Sequence, residues 1–233
     1  KTGAVTTNFD SPKSFPNTLA DVERFLLGAT VTAVRRRAKV LLIELSTDYT
    51  LMVHLKMTGQ LVFLSSVDQR TTSRTRWGGG HPTDSLVGSL PDRSTRQRLE
   101  FTDGSQLFFN DQRKFGWMKL LPTIAVPEQP FMQKVGPEPL DDSFTSKEFI
   151  LRIRRRNNTT IKAAILDQTV LAGVGNIYAN EILFAAGMHP LMPANRLLPA
   201  QWQRIVQATQ EILHQAIAAG GSTIADFLGT NGH

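Results

Sequence analysis

What most limits the fold of this chain is a change of hydrophobic pattern between its two halves. The first half carries short strand-like runs parted by tight turns, and from Thr145 onward apolar residues recur at helical spacing. Val31 to Leu45 and Tyr49 to Leu64 read as strands on either side of the turn Ser46-Thr47-Asp48, with Gly59 marking a bulge or a reversal. Arg98 to Phe109 reads as a hairpin around Thr102-Asp103-Gly104-Ser105. Sequential short strands joined by tight turns predict an antiparallel sandwich or barrel. Thr18 to Leu27, closed by Gly28, is a short helix signal before them.

In the second half, Thr145 with Glu148 forms a capping box, and Phe149, Ile150 and Ile153 supply a buried face. Ile161 to Leu166 continues the period, and Ile177 to Ala186 ends at Gly187, a natural left-handed cap. Pro199 to Ala219 places Trp202, Ile205, Val206, Ile212, Leu213 and Ile217 on one stripe. The halves join at Val135-Gly-Pro-Glu-Pro-Leu140, whose prolines favour an extended connection. The expectation is an α+β chain, with a β domain over 1–134 and an α domain over 135–233. Ser65 to Leu90, rich in Ser, Thr, Gly and Arg, is expected to be a long mobile surface loop.

With 41% hydrophobic and 20% charged residues, the composition is that of a soluble globular chain. No apolar run approaches the ~18 residues of a membrane helix. Cysteine is absent, which excludes disulfides and thiolate metal sites within these residues and fits a cytoplasmic location. The net charge of +6 points to an anionic polymer, nucleic acid first.

Five groups of residues could carry chemistry. Of Arg35 to Lys39 only Ala38 is not basic; on a strand, Arg35, Arg37 and Lys39 share a face, either guarding an edge or meeting phosphates. Arg152, Arg154, Arg155 and Arg156 stand at a helix end, where the helix dipole alone also favours cations. Leu171-Ala-Gly-Val-Gly-Asn-Ile-Tyr178 lies between two helices, so its glycines let backbone approach a ligand and the next helix aims N–H groups at an anion. Asn110-Asp-Gln-Arg-Lys-Phe-Gly116 is an exposed turn whose ring could wedge into stacked bases, or a hairpin turn with Phe115 packed on its domain. In His54-Leu-Lys-Met-Thr-Gly59, a lone Met and a lone His each read as structural.

Taken in order, Arg36-Arg-Ala-Lys39, His54 to Gly59, Asp111 to Gly116, Val135 to Leu140, Ile161-Lys162 with Leu166-Asp-Gln168, and Ala172-Gly-Val-Gly-Asn-Ile-Tyr-Ala179 resemble the formamidopyrimidine-DNA glycosylases. The resemblance runs from about Asn17 to the end, apart from the insertion after Leu64. It implies an N-terminal β-sandwich and a helix–two-turns–helix DNA-binding domain. It also implies excision of oxidised purines (8-oxoguanine, formamidopyrimidine) from duplex DNA with strand cleavage at the abasic site, by a monomer.

On the same resemblance, Lys39 is the proton donor in β-elimination. Met57, Arg113 and Phe115 fill the gap left by the extruded nucleotide, with His54, Lys56 and Lys114 beside them. Gly175 and Asn176 form the phosphate clamp, joined by Lys162, and Arg156 is a further DNA contact. The family's nucleophile is the amine of an N-terminal Pro-Glu, and its zinc is held by a C-terminal cysteine finger. This sequence starts at Lys1-Thr2 and holds no cysteine, so the expectation is a fragment without the nucleophile, with no cofactor in this chain and zinc in the missing finger. The family's Lys-His-x-His segment aligns with Arg93-Ser-Thr-Arg96, whose arginines could replace that phosphate contact by charge. The alternative is a non-enzymatic helix–two-turns–helix nucleic-acid-binding module.

Overall fold

The computed structural model describes residues 1–7, 13–67, 74–142, 144–154 and 158–221. Contacts divide them into two units, one of residues 1–36 and 40–126, the other of residues 37–39 and 127–221. The expected junction at 134/135 therefore lies inside the second unit.

The first unit is built on nine strands among the described residues: β1 (Thr2–Thr7), β2 (Val31–Arg37), β3 (Val40–Leu45), β4 (Tyr49–His54), β5 (Gly59–Leu64), β6 (Arg76–Gly80), β7 (Thr95–Phe101), β8 (Gln106–Asp111) and β9 (Trp117–Pro122). They form two sheets, in the orders β1-β7-β8-β5-β6 and β2-β3-β4-β9. Period-two alternation explains the layering. Ile43 faces Leu51 across β3 and β4, while Leu51 and Val53 face Leu120 and Met118 across β4 and β9. These side chains share one core with Leu99 and Phe109 of the other sheet. The result is an antiparallel sandwich with no barrel closure. A capping box at Thr18 starts α1 (Leu19–Asp21), which runs on as a π-turn through Leu26 and stops at Gly28, held at φ +74°.

Three features depart from the sequence reading. Val31 to Leu45 is two strands, because Ala38 sits at φ +51° and the chain turns at Ala38-Lys39. Tyr49 to Leu64 is likewise two strands, and they lie in different sheets. The stretch 65–90 is not simply a surface loop, since Arg76–Gly80 pairs antiparallel with β5. The missing side chain of Gly78 lets Leu86 lie on that strand, for a Cβ there would be 2.9 Å from Leu86 Cδ2. Two of its described polar side chains are tied down nearby. Arg76 donates to Leu86 O and Gly88 O, and the buried Ser85 hydroxyl donates to Asp92. Burial disfavours the Asp92 carboxylate, but bonds from Ser85, Ser94 and Thr95 outweigh that and hold it below the usual range.

The second unit is helical: α2 (Pro130–Lys134), α3 (Ser146–Arg154), α4 (Ile161–Leu166), α5 (Asn176–Ala185) and α6 (Pro199–Ala218). Thr145 caps α3 through its hydroxyl, which accepts from Glu148 N at 3.3 Å. Phe149 is the centre of the core, edge-on to Trp202 at 5.6 Å and to Phe144 at 5.8 Å. Gly187 (φ +65°) ends α5 as expected, with Met188 N bonding back to Leu183 O. Ile217, placed on the buried stripe of α6 by its spacing, is exposed, whereas Val206, Ile212 and Leu213 pack against the core. The segment Val135–Leu140 ends in a turn, closed by Asp141 N donating to Glu138 O, and is not a spacer. Gly136 donates to Gln168 O and lies so close to Thr169 and Val170 that a Cβ would meet backbone at 2.8 Å. Among the described residues no helix is long and apolar enough to cross a membrane.

Candidate nucleic-acid interface

In the first unit, two loops that each pass from one sheet to the other come together. Residues 55–58 lead from β4 to β5, and residues 112–116 from β8 to β9. Lys56 (φ +53°) and Lys114 (φ +58°) take left-handed backbone that tightens both turns, and each is exposed. Between them lie three exposed side chains, of which Arg113 touches both others. Arg113 Nη1 is 3.8 Å from Met57 Sδ, and the Arg113 guanidinium carbon stands 4.7 Å from the centre of the Phe115 ring. Met57 is 63% and Phe115 51% exposed, so neither side chain is buried in its domain. A ring, a cation and a thioether held together in water form a compact protrusion, with area to stack on bases and charge for phosphate.

His54 differs from these. It is buried, its Nδ1 accepts from Lys56 N at 3.0 Å and its ring lies against Trp117. The structure thus corrects its placement among the surface contacts, since the imidazole is spent on shaping the 55–58 turn. Arg96, matched to the family's histidine segment, is also buried, with Nε donating to Asp111 O at 2.8 Å, whereas Arg93 is exposed.

In the second unit, the turn Arg37–Lys39 stands with the helical residues. Glu138 accepts from Arg37 Nη1 at 2.8 Å and from Ala38 N at 2.6 Å, and Arg37 Nη2 reaches Gly136 O at 2.7 Å. Arg35 pairs with Glu44. The predicted shared face of Arg35, Arg37 and Lys39 therefore does not exist, because the strand ends before Lys39. Lys39 is left exposed at the turn, and a Cβ on Gly175 would lie 3.2 Å from its Nζ.

Gly175 is the N-cap of α5, with no side-chain cap, and Asn176 is exposed on the first turn. Such a start leaves first-turn N–H groups open to an anion. Gln168 fixes the preceding turn: Oε1 accepts from Gly173 N at 2.9 Å and Nε2 donates to Val174 O at 2.9 Å. Lys162 is half-buried on the first turn of α4, which packs on α5. Arg152, from the second basic run, turns back onto Glu148 and Thr169 O. Arg156 lies outside the described residues.

Sequence reasoning gave no role to Asp111, Thr58, Glu138 or Gln168, which hold these turns. An Asp closing a strand ahead of a turn is a signal for a carboxylate that binds nearby N–H groups, and it could have marked Asp111. Among the described residues no group of three or more His, Cys, Asp or Glu could hold a metal, and a cysteine finger would need residues outside 1–233.

Residues 4–118 match the formamidopyrimidine-DNA glycosylase N-terminal domain, and residues 135–227 the formamidopyrimidine-DNA glycosylase H2TH domain. The formamidopyrimidine-DNA glycosylase of Pelotomaculum thermopropionicum is 37% identical over 214 residues, covering 92% of this chain and 70% of that protein. That of Listeria innocua is 36% identical over 207 residues, covering 89% and 67%. Among solved structures, the complex of Lactococcus lactis Fpg with DNA containing an abasic site is similar at a TM-score of 0.81 and 28% identity, over 100% of this chain and 78% of that one. The complex of Lactococcus lactis Fpg with Fapy-dG-containing DNA gives 0.80 at 28% identity, over 98% and 77%. With these matches running through both units, the chain belongs to the formamidopyrimidine-DNA glycosylase family.

Proposed function

We propose that the chain works in DNA base-excision repair, taking oxidised purines out of duplex DNA and opening the strand at the abasic site that results. The observation that carries this reading is the exposed cluster of Met57, Arg113 and Phe115. A base must leave the stack before it can be excised, at a cost of a few kcal/mol. A protruding ring and guanidinium offset that cost by filling the gap, stacking on the bases that remain and neutralising phosphate. Lys56 and Lys114, exposed on the same two turns, add sequence-independent attraction to the backbone.

In the second unit, the open N-terminus of α5 with Asn176 receives a phosphate of the damaged strand, and Lys162 adds charge beside it. Lys39 serves as the proton carrier of strand cleavage. Its ammonium is held by a turn that Glu138 fixes, and glycine at 175 leaves room for the ammonium next to the phosphate turn. Once an amine has attacked the sugar C1′ and the base has gone, elimination needs a proton moved at the sugar, and an exposed lysine on a rigid turn is suited to that. No step is routed through a metal. The reading keeps the expected cytoplasmic location and monomeric state, supported by the bacterial origin of the relatives matched.

Borohydride trapping tests the reading. The whole natural protein, mixed with duplex containing 8-oxoguanine and reduced, is expected to give a covalent protein–DNA adduct. Binding without an adduct would leave a helix–two-turns–helix module and no enzyme.

A further inference from the structure

Beneath the exposed side chains of the first unit, one carboxylate joins the two loops that carry them. Asp111, at the end of β8, is fully buried. Its Oδ2 accepts from Gly116 N at 2.6 Å, and its Oδ1 accepts from Arg113 N at 3.2 Å and from the Thr58 hydroxyl. Thr58 Oγ1 in turn accepts from Arg113 N at 3.3 Å. An ionised carboxylate only accepts, and each of these partners is a donor. The donors come from both loops: Thr58 follows Met57 directly, while Arg113 and Gly116 bracket the other turn. The backbone of Asp111 is fixed as well, its N–H donating to Ser94 O at 2.8 Å and its carbonyl accepting from Arg96 Nε. The loops meet so closely that a Cβ on Gly116 would lie 3.0 Å from His54 O, Leu55 O and Phe109 Cζ.

We propose that Asp111, acting through Thr58, is a positioning residue for nucleotide extrusion: it locks the Met57 turn to the Arg113–Phe115 turn, so that the three side chains enter the duplex as one body. The inference rests on the wedge reading given above. Met and Arg are long, adaptable side chains, and left to separate loops they would enter one at a time, each ordered only on contact with DNA. With the loops tied, the ordering is done before DNA arrives, and small misplacements of a reacting or inserting group are known to be costly in rate. Asp111 itself touches neither base nor sugar; it works through the groups it holds.

The test uses the whole natural protein and a duplex with 2-aminopurine beside a tetrahydrofuran abasic site, followed by stopped-flow fluorescence well below the melting temperature. Phe115→Ala establishes whether the wedge is read by this probe. Thr58→Val removes the hydroxyl while keeping the shape, and it is expected to slow the insertion step about tenfold, with little change in the binding of undamaged duplex. Thr58→Ser is expected to restore the rate. Asp111→Asn should act more strongly than Thr58→Val, because an amide presents N–H to at least one of the donors. If Asp111→Asn does not fold, Thr58→Val and its serine rescue decide. An insertion rate unchanged in Thr58→Val, with Phe115→Ala clearly slower, overturns the positioning role and leaves the wedge standing. An insertion signal unchanged in Phe115→Ala overturns the wedge reading, and this inference with it.

Discussion

The two candidate DNA-contacting regions solve opposite problems. The pair of turns in the first unit offers side chains, with Met57, Arg113 and Phe115 exposed and held from below by the Asp111 carboxylate. The turn before α5 offers backbone. There Gly173 and Gly175 remove side chains from the path, and the neutral amide of Gln168 shapes the chain. A surface that must push into stacked bases needs bulk on a stiff mount. A surface that must cradle phosphate needs bare N–H groups, and a negative brace beside it would repel the ligand. The difference shows in the braces of the two turns themselves: the Asp111 carboxylate under the cationic protrusion and the Gln168 amide in the anion-facing turn. Glu138 is spent on the neighbouring Arg37–Lys39 turn.

The comparison predicts that deletion of a side chain disables the first region and addition of one disables the second. The largest expected effect is that of Phe115→Ala, with base excision from 8-oxoguanine duplex falling about 5- to 150-fold, as the loss of about 1–3 kcal/mol of stacking implies. The melting temperature should stay close to the parent because the ring is half in water. Binding to a duplex that is already abasic should suffer less from Phe115→Ala than from Arg113→Ala, as stacking and charge are separable. A large loss of stability with excision per folded molecule unchanged would return this ring to a packing role.

Next in size is Gly175→Ala. The backbone there (φ −113°) suits alanine, so folding should be unaffected, but the new methyl would press on Lys39 Nζ at 3.2 Å. Strand cleavage at an abasic site is expected to fall about tenfold, measured in single turnover. Parent-like cleavage would separate Lys39 from the phosphate turn. The smallest effect belongs to Gln168→Ala. It should lower stability by about 1–2 kcal/mol in urea titrations through the bonds it forfeits, with only a few-fold change in DNA affinity. An affinity loss exceeding that of Gly175→Ala would show that the amide contacts DNA itself.

How far these regions could be read in the sequence follows from the same contrast. Exposed function is written in residue types: an Arg, a Lys and a Phe in one short turn are odd enough to notice, and a glycine pair before a helix is equally plain. The braces were silent because Asp111, Thr58, Glu138 and Gln168 are ordinary turn residues until their distant partners are known. Asp111 and Thr58, for instance, stand 53 positions apart. The α+β division and most helix ends were legible from period and caps, as at Thr145 and Gly187. Strands β1, β6 and β9 were not. Thr2–Thr7 and Arg76–Gly80 lack apolar alternation and are strands because a neighbour pairs with them. The turn at Ala38 was hidden because alanine rarely takes a positive φ, and the Glu138 carboxylate that accepts from its N–H lies 100 positions away.

Both turns of the protrusion are places where the chain leaves one sheet for the other. Residues 55–58 and 112–116 are rooted in β4 and β9 of one sheet and in β5 and β8 of the other. Resistance met by the tip while it displaces a nucleotide is thus carried down four strands into both layers of the sandwich. Rooted in a single hairpin, the same tip would bend like a cantilever; mounted as a truss, it lets the recoil be taken up by the softer body in the encounter, the base stack.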